Sequence, residues 1–172
     1  MRTLIPAENW QYQAADLFYG LKNVLFPKAK RTALTIEGIG PCLPIRSGRA
    51  AIVAALHALH LRPGATIGVP LYSCPAVFKA VVKAGHNLVF VDIDKDTFCL
   101  SANDLAQKIR KLDAIIAIHM FGHVCDMSSV LQVANSKPVI EDCAQSLGSK
   151  MNGQNTGTLG DIGIFSFRSG KY

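Results

Sequence analysis

The sequence predicts an α/β fold: three layers, with a mostly parallel β-sheet covered by helices on both faces. Three observations predict it. From Pro41 onward, short apolar runs alternate with segments of helical period, the pattern of βαβ units. One run, Ala114–Ile118, is apolar at every position, which suits a strand buried on both faces. Composition agrees: 49% of the residues are hydrophobic and only 17% charged, which favours a large core and argues against disorder.

The elements follow in order. Residues 7–26 hold Trp10, Leu17, Phe18, Leu21, Val24 and Leu25 at roughly helical spacing, and Pro27 ends the segment. A basic, weakly patterned stretch runs to about Thr35. Cys42–Arg46 reads as a short strand. Ser47 reads as the N-cap of a helix over Arg49–Leu61, with Ile52, Val53, Leu56 and Leu59 on one face. Pro63-Gly64 punctuates the chain before a strand at Thr66–Val69. Pro75–Ala84 is the next helix, closed by Gly85, and Asn87–Val91 the next strand. A polar loop with Asp92, Asp94, Lys95 and Asp96 leads to a helix over Ser101–Lys111, with serine at its start and basic residues at its end, as the macrodipole favours. After Ala114–Ile118 come a helix near Ser128–Asn135, a short strand at Pro138–Glu141 and a last strand within Asp161–Phe167.

A chain of 172 residues suits one large domain or slightly more. The formal charge is +6, but the basic residues form no single stripe interleaved with aromatics, and aromatics are only 8% of the chain. This argues against nucleic acid as a partner, although a basic surface welcomes an anionic ligand. Five cysteines with no CxxC pair (Cys42, Cys74, Cys99, Cys125, Cys143) read as reduced, buried thiols of a cytosolic protein. The start, MRTLIPAENWQYQ, has no apolar signal region, and the longest apolar stretches fall short of the ~20 residues that span a bilayer. The expectation is a soluble cytoplasmic protein without a membrane partner.

Right-handed crossovers put the carboxyl ends of parallel strands on one edge, where ligands of open α/β sheets bind. Three positions past such ends carry chemistry. Ser47-Gly48-Arg49 opens a helix whose N–H groups could hold a phosphate. An ordinary serine cap with a packing glycine fits the same residues. Glu141-Asp142 ends a buried strand, and two adjacent acids there are costly unless compensated. A protonated heterocycle nitrogen would compensate them, and so would a structural salt bridge or a surface turn. Lys171 follows Ser166-Phe167-Arg168-Ser169-Gly170 and could bind phosphate, form a Schiff base if desolvated, or be a solvated charge. It is no Walker A lysine, since Phe165 stands where the first glycine belongs and Tyr172 follows. His119, His123, Cys125 and Asp126 have the donor types of a zinc site, but a turn at Phe121-Gly122 separates them, so the reading is a polar loop lining the sheet edge and no metal.

Taken together, the segments SGRAAIVAALHAL, VPLYSCPAVFKAVVKAG, LVFVDIDKDTFCL, HMFGHVCDM, VIEDCAQSLGS and GDIGIFSFRSGK resemble, in order and spacing, the DegT/DnrJ/EryC1/StrS family of sugar aminotransferases that depend on pyridoxal 5'-phosphate. The resemblance runs from about Pro41 to the end, and EDxAQxxG followed by GDxxxFSFxxxK is its most specific part. It implies the large domain of the type I fold of such enzymes. Lys171 falls on the lysine that binds the cofactor as a Schiff base and shuttles protons, which makes it the catalytic residue. Asp142 falls on the acid that pairs with the pyridine nitrogen, Gln145 on the glutamine beside the ring, and Ser166 on the serine that contacts the phosphate. Ser47, Gly48 and Arg49 fall on the phosphate cradle, and Cys74 near the ring-stacking position.

The chain departs from the family at three of these places. Arg49 stands where Thr or Ser is usual, Cys74 where an aromatic ring is common, and Arg168 where many members carry His. Family members are also longer, with a small C-terminal domain. The expected organisation is an N-terminal helix and connecting segment over 1–40, then a truncated cofactor-binding large domain over 41–172. The implied activity is amination of a nucleotide-linked keto-sugar by an amino donor such as glutamate, in amino-sugar or surface polysaccharide synthesis, by a homodimer. The alternative is a non-catalytic remnant or interaction module that keeps the scaffold and at most binds the cofactor.

Overall fold

The structure, a computed structural model, describes residues 14–26 and 34–167. Trp10, Pro27, Lys28, Lys30, Arg31, Arg168, Ser169, Gly170 and Lys171 lie outside the described residues. The chain divides into two compact units, one of residues 45–166 and one of residues 1–44 with 167–172.

In the smaller unit, α1 (Ala14–Leu25) is the described part of the helix expected over 7–26. Asp16 in its first turn and Lys22 in its last complement the macrodipole. A hairpin follows, with β1 (Leu34–Ile36) antiparallel to β2 (Gly40–Cys42) around a turn at Gly38, whose φ is 72°. This corrects the expected strand at Cys42–Arg46. The strand lies earlier, and Pro44, which has no N–H to give a ladder, stands just past its end.

The larger unit begins with α2 (Gly48–Ala58) and continues through β3 (Thr66–Pro70), α3 (Pro75–Lys83), β4 (Asn87–Val91) and α4 (Ala102–Lys108), the last tightening into a 3-10 turn over Ile109–Lys111. Then come β5 (Ala114–Ile118), α5 (Met127–Ala134), β6 (Val139–Asp142), β7 (Lys150–Met151), β8 (Gln154–Asn155) and β9 (Ile162–Ile164). Local chemistry sets the ends. Ser47 Oγ accepts from Ala50 N at 3.3 Å, Ser101 Oγ from Asp104 N at 3.4 Å and Asp126 Oδ1 from Ser129 N at 3.2 Å, each capping a helix. The helix expected to reach Leu61 stops at Ala58, and His60 beyond it turns left-handed at φ 49°.

Five strands form one parallel sheet in the order β4-β3-β5-β6-β9, so the expected parallel sheet is present. Helices α2 and α3 pack together, as do α4 and α5, which right-handed crossovers on either side of β3 assign to opposite faces. All five residues of β5 are buried, as are Ile67, Val69, Val139 and Ile140 in its neighbours. The chain reverses its order at β3 and β5, the switch point where the strand ends leave a crevice. Among the described residues, no helix is long and apolar enough to cross a membrane.

Sequence reasoning missed the hairpin β7–β8. Its signal was the Asn152-Gly153 pair, whose φ values of 50° and 84° are those of a type I′ turn. Beyond it the backbone is unusually close. A Cβ on Gly163 would lie 2.4 Å from the Gly157 carbonyl oxygen and 2.6 Å from its Cα, so backbone rather than a pliable side chain would have to move. Gly163→Ala is therefore expected to lower the unfolding free energy by about 1–3 kcal/mol, as overpacking does. Urea titration followed by circular dichroism checks this, and an unchanged midpoint would refute the close approach.

Candidate functional site

The carboxyl edge of the sheet gathers the described candidates that lie in the larger unit. Asp142 is the last residue of β6, in register with Ile118 on β5 and Ile164 on β9. It is buried, and its Oδ1 accepts from Ala144 N at 3.0 Å, which fixes the turn after the strand. Gln145 Oε1 accepts from Phe121 N at 3.2 Å, so its amide joins the loop after β6 to the loop after β5. Cys74 is the N-cap residue of α3, just past the end of β3, with an exposed thiol that makes no cap hydrogen bond. The expectation of uniformly buried cysteines holds for Cys99, Cys125 and Cys143 but not for Cys74 or the half-buried Cys42. Ser166 lies two residues past β9.

Ser47, Gly48 and Arg49 start α2, which packs on α3, and Gly64 N in the turn after α2 donates to the Gly85 carbonyl just past α3 at 3.1 Å, so that the two helix N-termini face the same edge. A Cβ on Gly48 would meet nothing within 4 Å. Gly48 is therefore not a packing glycine, while Ser47 is the ordinary serine cap that the same residues suggested. Arg49 is exposed and forms no ion pair among the described residues.

Of the alternatives for the adjacent acids, Glu141 takes a structural partner within the chain, the buried His119. Glu141 is fully buried and accepts four hydrogen bonds: Oε1 from Leu159 N at 2.7 Å and Gly160 N at 2.6 Å, Oε2 from Gly157 N at 2.9 Å and His119 Nε2 at 2.9 Å. Neither a surface turn nor a ligand cation is needed for this residue. Burial alone would raise its pKa, but the His119 bond and the three backbone N–H groups outweigh burial and hold the carboxyl below its ordinary range. Cys125 N donates to His119 Nδ1 at 3.0 Å, so Nδ1 carries no proton and Nε2 carries one.

This also corrects the polar loop expected at His119 and Cys125, because both are fully buried. Donor atoms of His119, Glu141 and Cys143 lie within 4.8 Å of one another. Both histidine nitrogens are committed, however, and burial followed by the Glu141 charge pushes the Cys143 thiol up, away from the thiolate a metal binds. Sequence reasoning missed this pair. The available signal was two lone polar residues, His119 and Glu141, set against neighbouring all-apolar strands, where a buried polar group must find a partner.

A second feature also went unread. Tyr72, Phe98 and Phe121 form an exposed aromatic trio past β3, β4 and β5, with ring centroids 5.5–6.3 Å apart. Phe98 and Phe121 hold left-handed φ values of 59° and 55°, uncommon for bulky side chains.

Comparison with known proteins fits this architecture. The sequence profile of the DegT/DnrJ/EryC1/StrS aminotransferase family matches residues 33–172. A GDP-perosamine synthase of Escherichia coli O157:H7 is 40% identical over 130 residues, which are 74% of this chain and 36% of that protein. A UDP-N-acetyl-3-dehydro-alpha-D-glucosamine 3-aminotransferase of Acidithiobacillus ferrooxidans is 36% identical over 135 residues, 77% of this chain and 37% of that protein. The chain thus spans little more than a third of the length of these relatives. Among solved structures, a Streptococcus pneumoniae protein assigned as a sugar aminotransferase superposes in its apo form with a TM-score of 0.83 at 25% identity, covering 96% of this chain and 48% of that one. The same protein has been solved in a PMP form. With the profile spanning the whole parallel sheet and its carboxyl edge, the chain belongs to the DegT/DnrJ/EryC1/StrS aminotransferase family.

Proposed function

We propose that this chain supplies the cofactor-binding part of a pyridoxal-phosphate-dependent aminotransferase acting on a nucleotide-linked keto-sugar. The observation that carries this reading is the carboxyl edge: a buried aspartate ends β6 while the first turn of α2 opens onto space that a Cβ at Gly48 would not fill. These residues fit the cofactor, one offering a charge to a ring nitrogen and the other backbone donors to a phosphate. The names of the relatives, which specify GDP- and UDP-linked amino sugars, support the substrate class. Glutamate as donor, a homodimer, a cytoplasmic location and a role in amino-sugar or surface polysaccharide synthesis complete the proposal.

Bound there, pyridoxal phosphate supplies an aldehyde that joins amines and a ring that withdraws electrons from the adjoining carbon. Asp142 keeps a proton on the ring nitrogen, which strengthens that withdrawal. Ser47 and the N–H groups of Gly48 and Arg49 hold the phosphate, with Ser166 as a further contact. Gln145 stands beside the ring, and Cys74 occupies the position of the stacking group. Lys171 Nζ would be the amine that holds the cofactor and would carry a proton between donor and cofactor.

Pyridoxal phosphate titration of the full chain, then borohydride reduction and peptide mapping, tests the proposal. The expected result is a visible absorbance band and a reduced adduct on Lys171. No adduct, or labelling scattered over surface lysines, would overturn it in favour of a scaffold without the activity.

A further inference from the structure

Glu141 and Asp142 are consecutive on β6 and so project to opposite faces of the sheet. Asp142 belongs to the edge assigned to the cofactor, whereas Glu141 serves no step proposed above. Its surroundings nevertheless tie together every strand end that carries a site residue in this region. His119, directly after β5, donates its backbone N–H to the Asp142 carbonyl at 3.1 Å and its Nε2–H to Glu141. The N–H groups of Gly157, Leu159 and Gly160 converge on the same carboxylate. One residue later, Asp161 N donates to Val139 O at 2.9 Å, and Asp161 Oδ2 accepts from Val139 N at 2.7 Å, which starts β9 in register with β6. Cys143 N then donates to Ile164 O at 2.8 Å. From there the chain leads to Ser166.

We infer that the buried His119–Glu141 pair is a positioning unit, in which one carboxylate and a histidine of fixed tautomer lock the ends of β5, β6 and β9 so that Asp142 and Ser166 face a common cofactor. Charge is the property that matters. Four N–H donors point at one side chain, and only an ionised carboxylate offers acceptor sites to all of them. A glutamine of the same shape would set its own NH2 against two of these donors. The histidine is equally constrained, because a proton on Nδ1 would face the Cys125 N–H. A buried charge is a poor source of stability beside an apolar core, so its presence here points to geometry. The loop is built around it: a Cβ on Gly160 would fall 2.7 Å from the Val139 carbonyl oxygen and 3.3 Å from Glu141 Cγ. Neither side chain touches the cofactor, so both act through their neighbours.

The inference rests on the cofactor reading above, and its test separates the two. In the full wild-type chain, nitrogen NMR of His119 is expected to show Nε2 protonated and Nδ1 bare at neutral pH. Amides of Gly157, Leu159 and Gly160 are expected to exchange slowly with solvent. In Glu141→Gln these amides exchange about tenfold faster or more, pyridoxal phosphate capture on Lys171 weakens by about tenfold or more, and the pH midpoint of the captured cofactor's absorbance moves in the folded fraction. A merely structural role would lower the folded fraction without moving that midpoint. Should Glu141→Gln not fold, His119→Gln is expected to shift capture and midpoint in the same direction. An Nδ1–H or doubly protonated His119, or a folded variant with unchanged exchange, capture and midpoint, overturns the inference. A wild-type chain that captures no cofactor defeats the cofactor reading instead, and the tautomer and amide exchange still decide whether the clamp exists.

Discussion

Replacing Glu141 by leucine is expected to cost at least about 3 kcal/mol of unfolding free energy, a large share of the ~5–15 kcal/mol that holds a typical domain together. The substitution removes no large volume. Its cost comes from the four donors left behind, since each buried N–H without an acceptor costs about 1–3 kcal/mol. Relaxation of the glycine-rich loop recovers part of this by admitting water. Urea unfolding at pH 7 measures the difference, and a loss below about 1 kcal/mol would show that the loop already finds other acceptors. The same carboxylate shapes the response to acid. Its folded pKa is held below the ordinary value of 4.5, so the folded state binds fewer protons. Its contribution is fully present above that ordinary value and is lost as pH falls through the lower folded one. Wild type should therefore lose stability below about pH 4.5 more steeply than Glu141→Leu, which has no such group to protonate.

Much of this architecture was legible in the residues because burial on both faces leaves an unambiguous mark. Ala114–Ile118 forms the strand that its all-apolar run predicts, whereas Asn87–Val91 is a half-exposed edge strand, and Ser47, Ser101 and Gly85 sit at helix ends as their side chains or conformations suggest. The edges of elements were less legible. Nothing local says that a strand stops at Cys42 rather than beginning there, because the decision belongs to its pairing with Leu34–Ile36. The Glu141–His119 pair was hidden for a related reason. The two residues are far apart in sequence, and only the β5–β6 register brings them to the same depth. Asp142 was visible as an acid at a strand end and took its role from the family resemblance, but the residues alone gave Glu141 no partner. Strand alternation divides the labour between them by sending the two carboxylates to opposite faces.

That division makes the second large prediction selective. Asp142→Asn keeps a side-chain oxygen for Ala144 N, so the turn after β6 and the fold should survive, with unfolding free energy changed by no more than about 1 kcal/mol. Asparagine cannot provide the negative charge that the role proposed for Asp142 requires. Capture of pyridoxal phosphate on Lys171 should persist, because the lysine and the phosphate cradle are untouched. Conversion of the captured cofactor to its amine form by glutamate should slow by about 10²–10³-fold, the usual loss when one preorganised electrostatic group is removed. Absorbance after mixing with the donor measures that rate in wild type and variant alike. Equal rates would deny Asp142 its assigned role. A variant that also fails to capture the cofactor would mean that its carboxylate serves binding before chemistry, and the site would then depend on charge at both faces of β6.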